Sequence, residues 1–314
     1  MTELRPLSFD RAGALALARR AILERNDPEA EVTPFLSMVE REVADGTAAG
    51  VLQVEDGRLV GIALWEAPNS LGATLQVVFT VEGRQTTEHY SSFLAEVTRV
   101  SGPIVFAPGR LAGLTEADES DVMGRLGFAR FSRSEMRFPP EALTPDEVPA
   151  PSVRLRGFRP DDQAALARLH EAAYRGHFDQ YLFLADPDPV RDAEIAMRDV
   201  IGGRWGEFLP WASPVVDGEA GLAAASLVVR APYGPLIADV MVDPRQQGHG
   251  LGRAVLVATI SALRARQESV IVLNVTEGNL RARKLYERIG FVRSIGPSHG
   301  WYSTARIPVS AGPG

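Results

Sequence analysis

The stretch of sequence that decides the fold is Arg245-Gln246-Gln247-Gly248-His249-Gly250-Leu251-Gly252-Arg253. It follows an apolar, β-branched run that begins at Leu236 and is stopped by Pro244, which predicts a strand. Beyond it, apolar residues recur at helical spacing, at positions 251, 255, 256, 260 and 263. The glycines therefore lie in the turn that opens a helix, where free backbone N–H groups and the positive end of the helix dipole favour a phosphate. The stretch predicts a cradle for a pyrophosphate group.

The glycine spacing excludes two other kinds of phosphate-binding loop. A Walker A loop requires G-x-x-x-x-G-K-[ST], and a dinucleotide-binding turn requires G-x-G-x-x-G. Here the glycines stand at 248, 250 and 252, so neither pattern is met. In addition, no acidic residue follows about 20 residues later at the end of a strand, where a ribose contact would need one.

A second motif lies downstream, after a strand that we predict from Ser269 to Val275. It ends in a short helix with one apolar face, formed by Ala282, Leu285, Tyr286 and Ile289. Gly290 supplies the left-handed residue that stops this helix. The Tyr286 ring is either an ordinary core aromatic or, if its hydroxyl is buried, a group that requires a polar partner.

Together the two motifs resemble those of the GNAT acetyltransferase superfamily. The loop meets the pattern [QR]-x-x-G-x-[GA] at Gln247, Gly250 and Gly252. The signature N-x-x-A-x-x-x-Y-x-x-x-G-F is met at Asn279, Ala282, Tyr286, Gly290 and Phe291. The resemblance implies an α/β (α+β) fold, in which a mixed, mostly antiparallel twisted sheet is flanked by helices. It also implies acetyl-CoA (coenzyme A) as the cofactor.

The resemblance implies a set of cofactor-binding residues in the second half of the chain. The set consists of Met241, Val242, Gln247, Gly248, His249, Gly250, Leu251, Gly252, Arg253, Asn279 and Tyr286. Backbone groups of Met241 and Val242, where the strand splays, would hold the thioester carbonyl and the pantetheine arm. Asn279 would order the helix start and contact the cofactor or a catalytic water.

The implied catalytic residues are Tyr286, Asp239 and Asn279. Tyr286 would protonate the departing thiolate of the cofactor. Asp239 lies on the strand before the loop, on the same face as Met241, where it can serve as a general base directly or through water; the alternative is a structural carboxylate. Glu207 and His177 are the other candidates for the base.

The acceptor site is predicted between Tyr174 and Ser213, in a stretch rich in aromatic residues that could also be core. These are Tyr174, Phe178, Tyr181, Phe183, Trp205, Phe208 and Trp211.

The two halves of the chain repeat the same order of signals. Strand pairs around an Asp-Gly turn are predicted at Asp56-Gly57 and again at Asp217-Gly218, and a helix followed by Gly-Phe closes each half. Five prolines in 139–153 interrupt regular structure between the halves. We therefore predict two tandem GNAT-like domains: a degenerate domain at 1–138, a proline-rich linker at 139–153 and a catalytic domain at 154–314.

The first half contains the same turns but lacks the predicted phosphate-binding loop and the tyrosine. After its predicted strand from Leu75 to Val81 comes Glu82-Gly83-Arg84, with one glycine and an acid where a phosphate would lie. Met123 stands where Tyr286 stands in the second half, when the two Gly-Phe pairs are aligned. This domain is therefore predicted to be kept for packing or for shaping the acceptor site.

Composition narrows the classes of function. The chain has 314 residues and no cysteine, which excludes disulfides, thiolate metal ligands and a cysteine nucleophile. Its five histidines show no paired spacing, so we predict no metal site. A net charge of -7 argues against a nucleic-acid partner. Without a long apolar segment or a signal for export, we expect no membrane partner and a cytoplasmic location, as a monomer or homodimer.

The predicted activity is acetyl transfer from acetyl-CoA to a primary amine. It is predicted to proceed by direct attack of the amine in a ternary complex rather than through a covalent acyl-enzyme. The acceptor is predicted to be a small-molecule amine. Two other enzymatic assignments stay open, namely a mycothiol synthase-like enzyme and a protein N-acetyltransferase. A non-catalytic acyl-CoA sensor is the alternative from another class, because such a module would need the cradle but not an acid at Tyr286.

Overall fold

The computed structural model describes residues 2–24, 29–46, 48–69, 72–142, 154–177, 179–180, 188–231 and 233–304. The chain forms two compact units, one made of Met1–Phe131 with His299–Gly314 and the other of Ser132–Ser298. Each contains a mixed, mostly antiparallel sheet with helices packed against it, so the predicted fold class is confirmed. Among the described residues, no helix is long and apolar enough to cross a membrane.

The sheet of the first unit contains β1 (Thr2–Pro6), β2 (Ala49–Glu55), β3 (Arg58–Asn69), β4 (Gly72–Thr80), β5 (Ile104–Pro108) and the end of β13 (Val292–Ser303), in that spatial order. Its neighbouring strands are antiparallel, apart from the parallel pair β4 and β5. The helices are α1 (Arg11–Leu23), α2 (Glu29–Asp45), α3 (Thr87–Ser101) and α4 (Glu116–Arg125).

Alternating residues of the first unit's strands face two separate apolar clusters. Leu52 and Ile62 belong to the cluster formed with α1 and α2, whereas the adjacent Val51 and Ala63 belong to the cluster formed with α3 and α4. Because successive side chains on a strand point to opposite faces, helices cover both faces of this sheet.

The sheet of the second unit contains β7 (Leu155–Gly157), β9 (Pro214–Gly218), β10 (Gly221–Ala231), β11 (Gly234–Val242), β12 (Ile271–Thr276) and residues 132–138 of β6 (Phe128–Phe138). A short strand, β8 (Glu207–Phe208), also pairs with β10. Only β11 and β12 are parallel in this sheet, among the pairings that the structure describes. The helices are α5 (Gln163–Tyr174), α6 (Pro189–Ile201), α7 (Leu251–Ala265) and α8 (Leu280–Ile289).

Both units have the same strand arrangement: four antiparallel strands, then a parallel neighbour, then a final antiparallel strand. The helices that precede the two final strands in the chain, α4 before β6 and α8 before β13, also end in the same way. Gly127 after α4 and Gly290 after α8 have φ angles of 78° and 114°, in the left-handed region that glycine adopts most readily. This repeated arrangement is what the predicted duplication requires.

The units differ from the predicted domain boundaries, because each sheet takes its final strand from the other half of the chain. Residues 133–138 pair with β12, from Phe138 opposite Ile271 to Arg133 opposite Thr276. The C-terminal end of β13 pairs with β5. Hydrophobic periodicity predicts that a strand exists but not which distant strand it pairs with. Of the predicted linker, residues 143–153 lie outside the described residues.

The predicted position of one of the two Asp-Gly turns is wrong by two residues. Asp56 and Gly57 do connect β2 to β3, with φ angles of 48° and 77° as a tight hairpin turn requires. In contrast, Asp217 and Gly218 stay in β9, and the turn falls on residues 219–220. The Asp217 carboxylate accepts hydrogen bonds from Arg156 Nε on β7 at 3.0 and 2.9 Å, which stabilises it within the strand.

Candidate active site

The candidate site lies where β11 and β12 separate. The two strands pair at Leu236 with Val272 and at Ile237 with Leu273, and no further along their described residues. Beyond this point β11 continues beside β10, and β12 continues beside residues 133–138. A cavity of about 440 Å³ occupies the gap, a size within the usual range of small-molecule sites.

The glycine-rich turn forms one wall of the cavity. Gly248 and Gly250 have φ angles of 87° and 78°, which strain any residue with a side chain. Gly250 is the N-cap of α7 and supplies no side chain to bond the N–H groups of the first turn, which therefore remain available to a ligand. Of the predicted loop residues, Gln247, Gly248, Gly250, Leu251, Gly252 and Arg253 line the cavity.

Positively charged side chains line the same cavity. Four arginines line the cavity, at positions 133, 253, 281 and 288. Arg281 donates a hydrogen bond to Gln247 Oε1, which connects α8 to the glycine-rich turn. His249 is exposed and is not among the described residues that line the cavity; its Nδ1 lies 3.2 Å from the carbonyl oxygen of Gln246. Guanidinium groups beside a helix N-terminus suit phosphate ligands, because both attract anions.

Asp239 lies in the wall formed by β11, and its side chain is held by two residues of α5. Its Oδ1 accepts a hydrogen bond from the Tyr174 hydroxyl at 2.9 Å, and its Oδ2 lies 2.9 Å from His170 Nδ1. Asp239 is only 8% exposed. Because both oxygens are engaged, the position of the carboxylate is fixed, and the His170 contact requires the tautomer with a proton on Nδ1.

Tyr286 on α8 lies in the same cavity, with its ring 6.0 Å from the Phe291 ring. Burial raises the pKa of the Tyr286 hydroxyl above its usual value of 10.0, and the negative charge of Asp239 raises this pKa further. The pKa of Tyr174 is raised for the same two reasons, desolvation first and Asp239 second. Both hydroxyls therefore keep their protons at neutral pH, and Tyr286 can act as a proton donor.

Asn279 begins α8, as the signature predicts. Its Oδ1 accepts a hydrogen bond from the backbone N–H of Ala282 at 3.1 Å, which caps the helix. Its Nδ2 lies 3.4 Å from Oδ2 of Asp179, a residue that is 4% exposed and also lines the cavity. His177 lines the cavity too, and its Nδ1 accepts a hydrogen bond from the Asp179 N–H at 3.2 Å.

Several predicted residues lie elsewhere. Met241 is fully buried in the apolar cluster with α5 and α6, whereas Val242 lines the cavity. Glu207 is exposed on β8 and lies 3.8 Å from Arg230; it does not line the cavity as the structure describes it. Because the Met241 side chain is buried, only its backbone is left for cofactor binding, as the resemblance implies.

Among the predicted aromatics, Tyr174 is the one that lines the described part of the cavity. Phe208 packs edge-on against Phe158 at 5.0 Å, and Trp211 lies under the guanidinium of Arg266 at 3.9 Å. Trp205 is largely exposed. The remaining three, Phe178, Tyr181 and Phe183, lie outside the described residues.

Sequence reasoning missed His170, Asp179 and Arg281 as site residues. None belongs to a motif with its own spacing, since each reaches the site through tertiary packing. The helical repeat of α5 could have placed His170 and Tyr174 on one face, because they are four residues apart. In the described part of the chain, no group of three or more metal-ligating side chains stands close enough to hold a metal ion.

Residues 173–291 match the family model described as the acetyltransferase (GNAT) family. The chain is 30% identical over 295 residues to a mycothiol acetyltransferase of Thermomonospora curvata, covering 89% of each protein. It is 29% identical over 303 residues to a mycothiol acetyltransferase of Geodermatophilus obscurus, covering 91% of this chain and 92% of the relative. The chain therefore belongs to the GNAT acetyltransferase family and is an acetyltransferase.

Solved structures show the same fold over nearly the whole chain. A GCN5-related N-acetyltransferase from Sphaerobacter thermophilus has a TM-score of 0.59 at 17% identity, covering 96% of this chain and 95% of that one. A tandem GNAT protein from the clavulanic acid biosynthesis pathway has a TM-score of 0.57 at 15% identity, covering 96% and 98%. At these identities the similarity shows the fold alone, and it confirms the predicted tandem GNAT architecture.

Proposed function

We propose that this enzyme transfers the acetyl group of acetyl-CoA to the primary amine of a small molecule, by direct attack in a ternary complex. The observation that carries the proposal is the convergence of three elements on one cavity: the glycine-rich start of α7, the Asp239 carboxylate and the Tyr286 hydroxyl. The elements would serve cofactor binding, proton removal and proton donation respectively.

The cofactor would bind through its phosphates at the start of α7. The uncapped first-turn N–H groups provide donors there, and Arg253 and Arg281 provide positive charge. The thioester would lie between the separated strands, where the backbone of Met241 and Val242 no longer pairs with β12 in the described structure. Groups of this kind hold a carbonyl without needing side-chain chemistry.

The reaction begins with an acceptor ammonium that gives a proton to Asp239, directly or through one water. The neutral amine then attacks the thioester carbonyl and a C–N bond forms. The attacking nitrogen loses its extra proton to solvent as the C–S bond breaks. Tyr286 donates its proton to the departing thiolate and is reprotonated from solvent. The balance is an ammonium and acetyl-CoA converted to an acetamide, coenzyme A thiol and one released proton.

The first unit serves, in this proposal, as a degenerate copy without cofactor. Its helix α3 is capped by the Thr86 hydroxyl, which accepts a hydrogen bond from the His89 N–H at 3.2 Å. A first turn already bonded by its own side chain offers fewer donors to a phosphate than the glycine-capped α7. Met123, buried on α4, also lacks the hydroxyl that Tyr286 provides.

A second candidate function is acetylation of the amine precursor of mycothiol. It is favoured by the relatives named as mycothiol acetyltransferases, which align with about nine-tenths of this chain. Protein N-acetylation and acyl-CoA sensing stay as outcomes of the same experiments. A sensor would bind acetyl-CoA but transfer its acetyl group to none of the amines offered.

The binding test is calorimetric titration of acetyl-CoA into wild type, Gly250→Glu and Gly83→Glu. Both glycines have left-handed φ angles, 78° and 85°, so each substitution carries a similar backbone strain of roughly 1–2 kcal/mol. Only Gly250→Glu places a carboxylate in the cradle. We expect it to abolish detectable binding, whereas Gly83→Glu retains it. Equal binding by all three would refute the location of the cofactor site.

The acceptor test follows coenzyme A release with a thiol reagent while primary amines are supplied. The set should contain simple aryl and alkyl amines, the amine precursor of mycothiol and a peptide with a free N-terminus. Turnover of small amines supports the leading proposal, and preference for the mycothiol precursor supports the second. Turnover of the peptide alone, or of nothing despite acetyl-CoA binding, contradicts both.

A further inference from the structure

Asp179 is a second carboxylate in the wall of the cavity, and no step of the proposed reaction uses it. It lies five residues beyond the end of α5 and is 4% exposed. Its Oδ2 receives a long contact of 3.4 Å from Asn279 Nδ2. The nearby His177 Nδ1 accepts a hydrogen bond from the Asp179 N–H and lies 3.5 Å from Oδ2, so the described contacts of the carboxylate fall on Oδ2.

The other carboxylate oxygen, Oδ1 of Asp179, is buried and accepts no hydrogen bond from the residues that the structure describes. A buried carboxyl oxygen without a hydrogen-bond donor is costly, and such atoms are uncommon in native proteins. An external donor in the cavity would remove this cost. The geometry therefore indicates a ligand that carries N–H groups and positive charge.

Thr276 provides an independent observation in the same wall. It ends β12, it lines the cavity, and its buried hydroxyl has no hydrogen-bond partner within the described ranges. The carbonyl oxygen of Thr276 accepts a hydrogen bond from the Asn279 N–H at 2.8 Å, so the chain turns tightly from Thr276 to the residue that contacts Asp179. Asn279 thus contacts both residues whose buried oxygens, Asp179 Oδ1 and Thr276 Oγ1, have no partner in the described part of the chain.

We propose that Asp179, together with Thr276 in the wall of the same cavity, binds the acceptor as its ammonium ion and so selects cationic primary amines. An alkylammonium group has three N–H donors. Two of them can bond Asp179 Oδ1 and Thr276 Oγ1, and the third remains for another acceptor. This inference deepens the proposed function and rests on it. It makes Asp179 a specificity residue, separate from the group that accepts the proton.

Asp239 does not supply this contact in the same way, although it is also a carboxylate of the cavity. Both of its oxygens are engaged, one by Tyr174 and the other by His170. Asp179 keeps one oxygen for the substrate, whereas Asp239 is tied to α5. The two carboxylates thus have different roles: Asp179 recognises the charged acceptor, and Asp239 removes its proton.

The experiment compares two acceptor probes of similar shape and different charge. Near neutral pH, 2-phenylethylamine is a cation and O-benzylhydroxylamine is uncharged, yet both carry a nucleophilic NH2 group. Each is tested with wild type, Asp179→Asn, Thr276→Val and the control Asp161→Asn, which removes an exposed carboxylate from the same unit. Calorimetry with acetyl-CoA and a thermal melt accompany every variant.

We expect Asp179→Asn to lower kcat/KM for 2-phenylethylamine about 30-fold or more, chiefly by raising KM, because a buried charge pair is lost. The same variant should change kcat/KM for O-benzylhydroxylamine less than about twofold, and Asp161→Asn should resemble wild type. Thr276→Val should weaken 2-phenylethylamine by about fivefold, as expected for one hydrogen bond.

Other results overturn the inference in distinguishable ways. Suppose that wild type acetylates 2-phenylethylamine. If Asp179→Asn then lowers kcat/KM equally for both probes, or for neither, Asp179 does not recognise the charge of the acceptor. If Asp179→Asn fails to fold, an unchanged KM in Thr276→Val contradicts the subsite. If wild type binds acetyl-CoA but acetylates neither probe, the proposed small-amine activity fails and this inference fails with it.

Discussion

Replacing Tyr286 with phenylalanine removes one hydroxyl from the cavity and leaves the ring that packs against Phe291. The structure sets the expected size of the effect. The raised pKa keeps the proton on Tyr286, but it also lies above that of an ordinary thiol, about 8.5, so full transfer to the thiolate is uphill. The hydroxyl would then donate a hydrogen bond while the C–S bond breaks and complete its proton transfer to the thiolate only late in the step.

We therefore expect the lower end of the range for an acid catalyst, a fall in kcat of about 100-fold, or roughly 2.7 kcal/mol of barrier. The affinity for acetyl-CoA should change less than about threefold, because the cradle is untouched. The free energy of unfolding should change by no more than about 1 kcal/mol. Steady-state kinetics, calorimetry and urea unfolding measure the three quantities on the same samples.

Tyr90→Phe is the matched control. Tyr90 is fully buried in the first unit, and its hydroxyl donates a hydrogen bond to the carbonyl oxygen of Ala112 at 3.1 Å. Its loss should cost about 1 kcal/mol of stability and leave kcat unchanged. A Tyr286→Phe enzyme with kcat within twofold of wild type would refute the role given to this hydroxyl. Loss of acetyl-CoA affinity in proportion to kcat would assign it to cofactor binding instead.

Further predictions concern the helix cap, the base and the buried tyrosines. Asn279→Ala should lower the free energy of unfolding by about 1 kcal/mol, whereas Asn279→Ser, which can still cap α8, should lower it by less; urea unfolding of both variants tests this. Asp239→Asn should reduce kcat at least about 100-fold while acetyl-CoA binding persists, and retained turnover would exclude Asp239 as the base. The folded-state pKa values of Tyr174 and Tyr286 are raised above 10.0, so their contribution to stability is complete below this pH and is lost as pH rises above it. Each should make the free energy of unfolding fall by up to about 1.4 kcal/mol per pH unit there, and the slope should be shallower in Tyr286→Phe.

Local signals in the sequence predicted much of the fold and the centre of the site. Glycines that need left-handed φ angles located the turn before α7 and the end of α8, because no other residue adopts these angles so readily. Apolar spacing placed β11, α7, β12 and α8 in the correct order. Asn279 and Tyr286 could be placed together because one caps α8 and the other lies on it, within a single regular sequence pattern.

The parts that sequence could not predict depend on contacts between distant residues. Asp179 contacts a residue 100 positions away, and His170 contacts Asp239 from 69 positions away. No periodicity carries such information, since contacts of this kind arise only when distant elements pack together, as α5 does beside β11. The pairing of residues 132–138 with β12 was missed for the same reason. The alternating pattern of these residues predicts a strand but suits either sheet.

The strand pairing at the two sheet ends bears on how this polypeptide can be divided. A fragment that stops at residue 138 would lack residues 299–303 and leave β5 without its antiparallel neighbour. A fragment that starts at residue 154 would lack residues 132–138 and leave one side of β12 open. Unpaired strand edges recruit other chains, so separately expressed halves should aggregate alone and become soluble when produced together. Activity assays on an isolated C-terminal half would then report on a damaged sheet rather than on the catalytic groups.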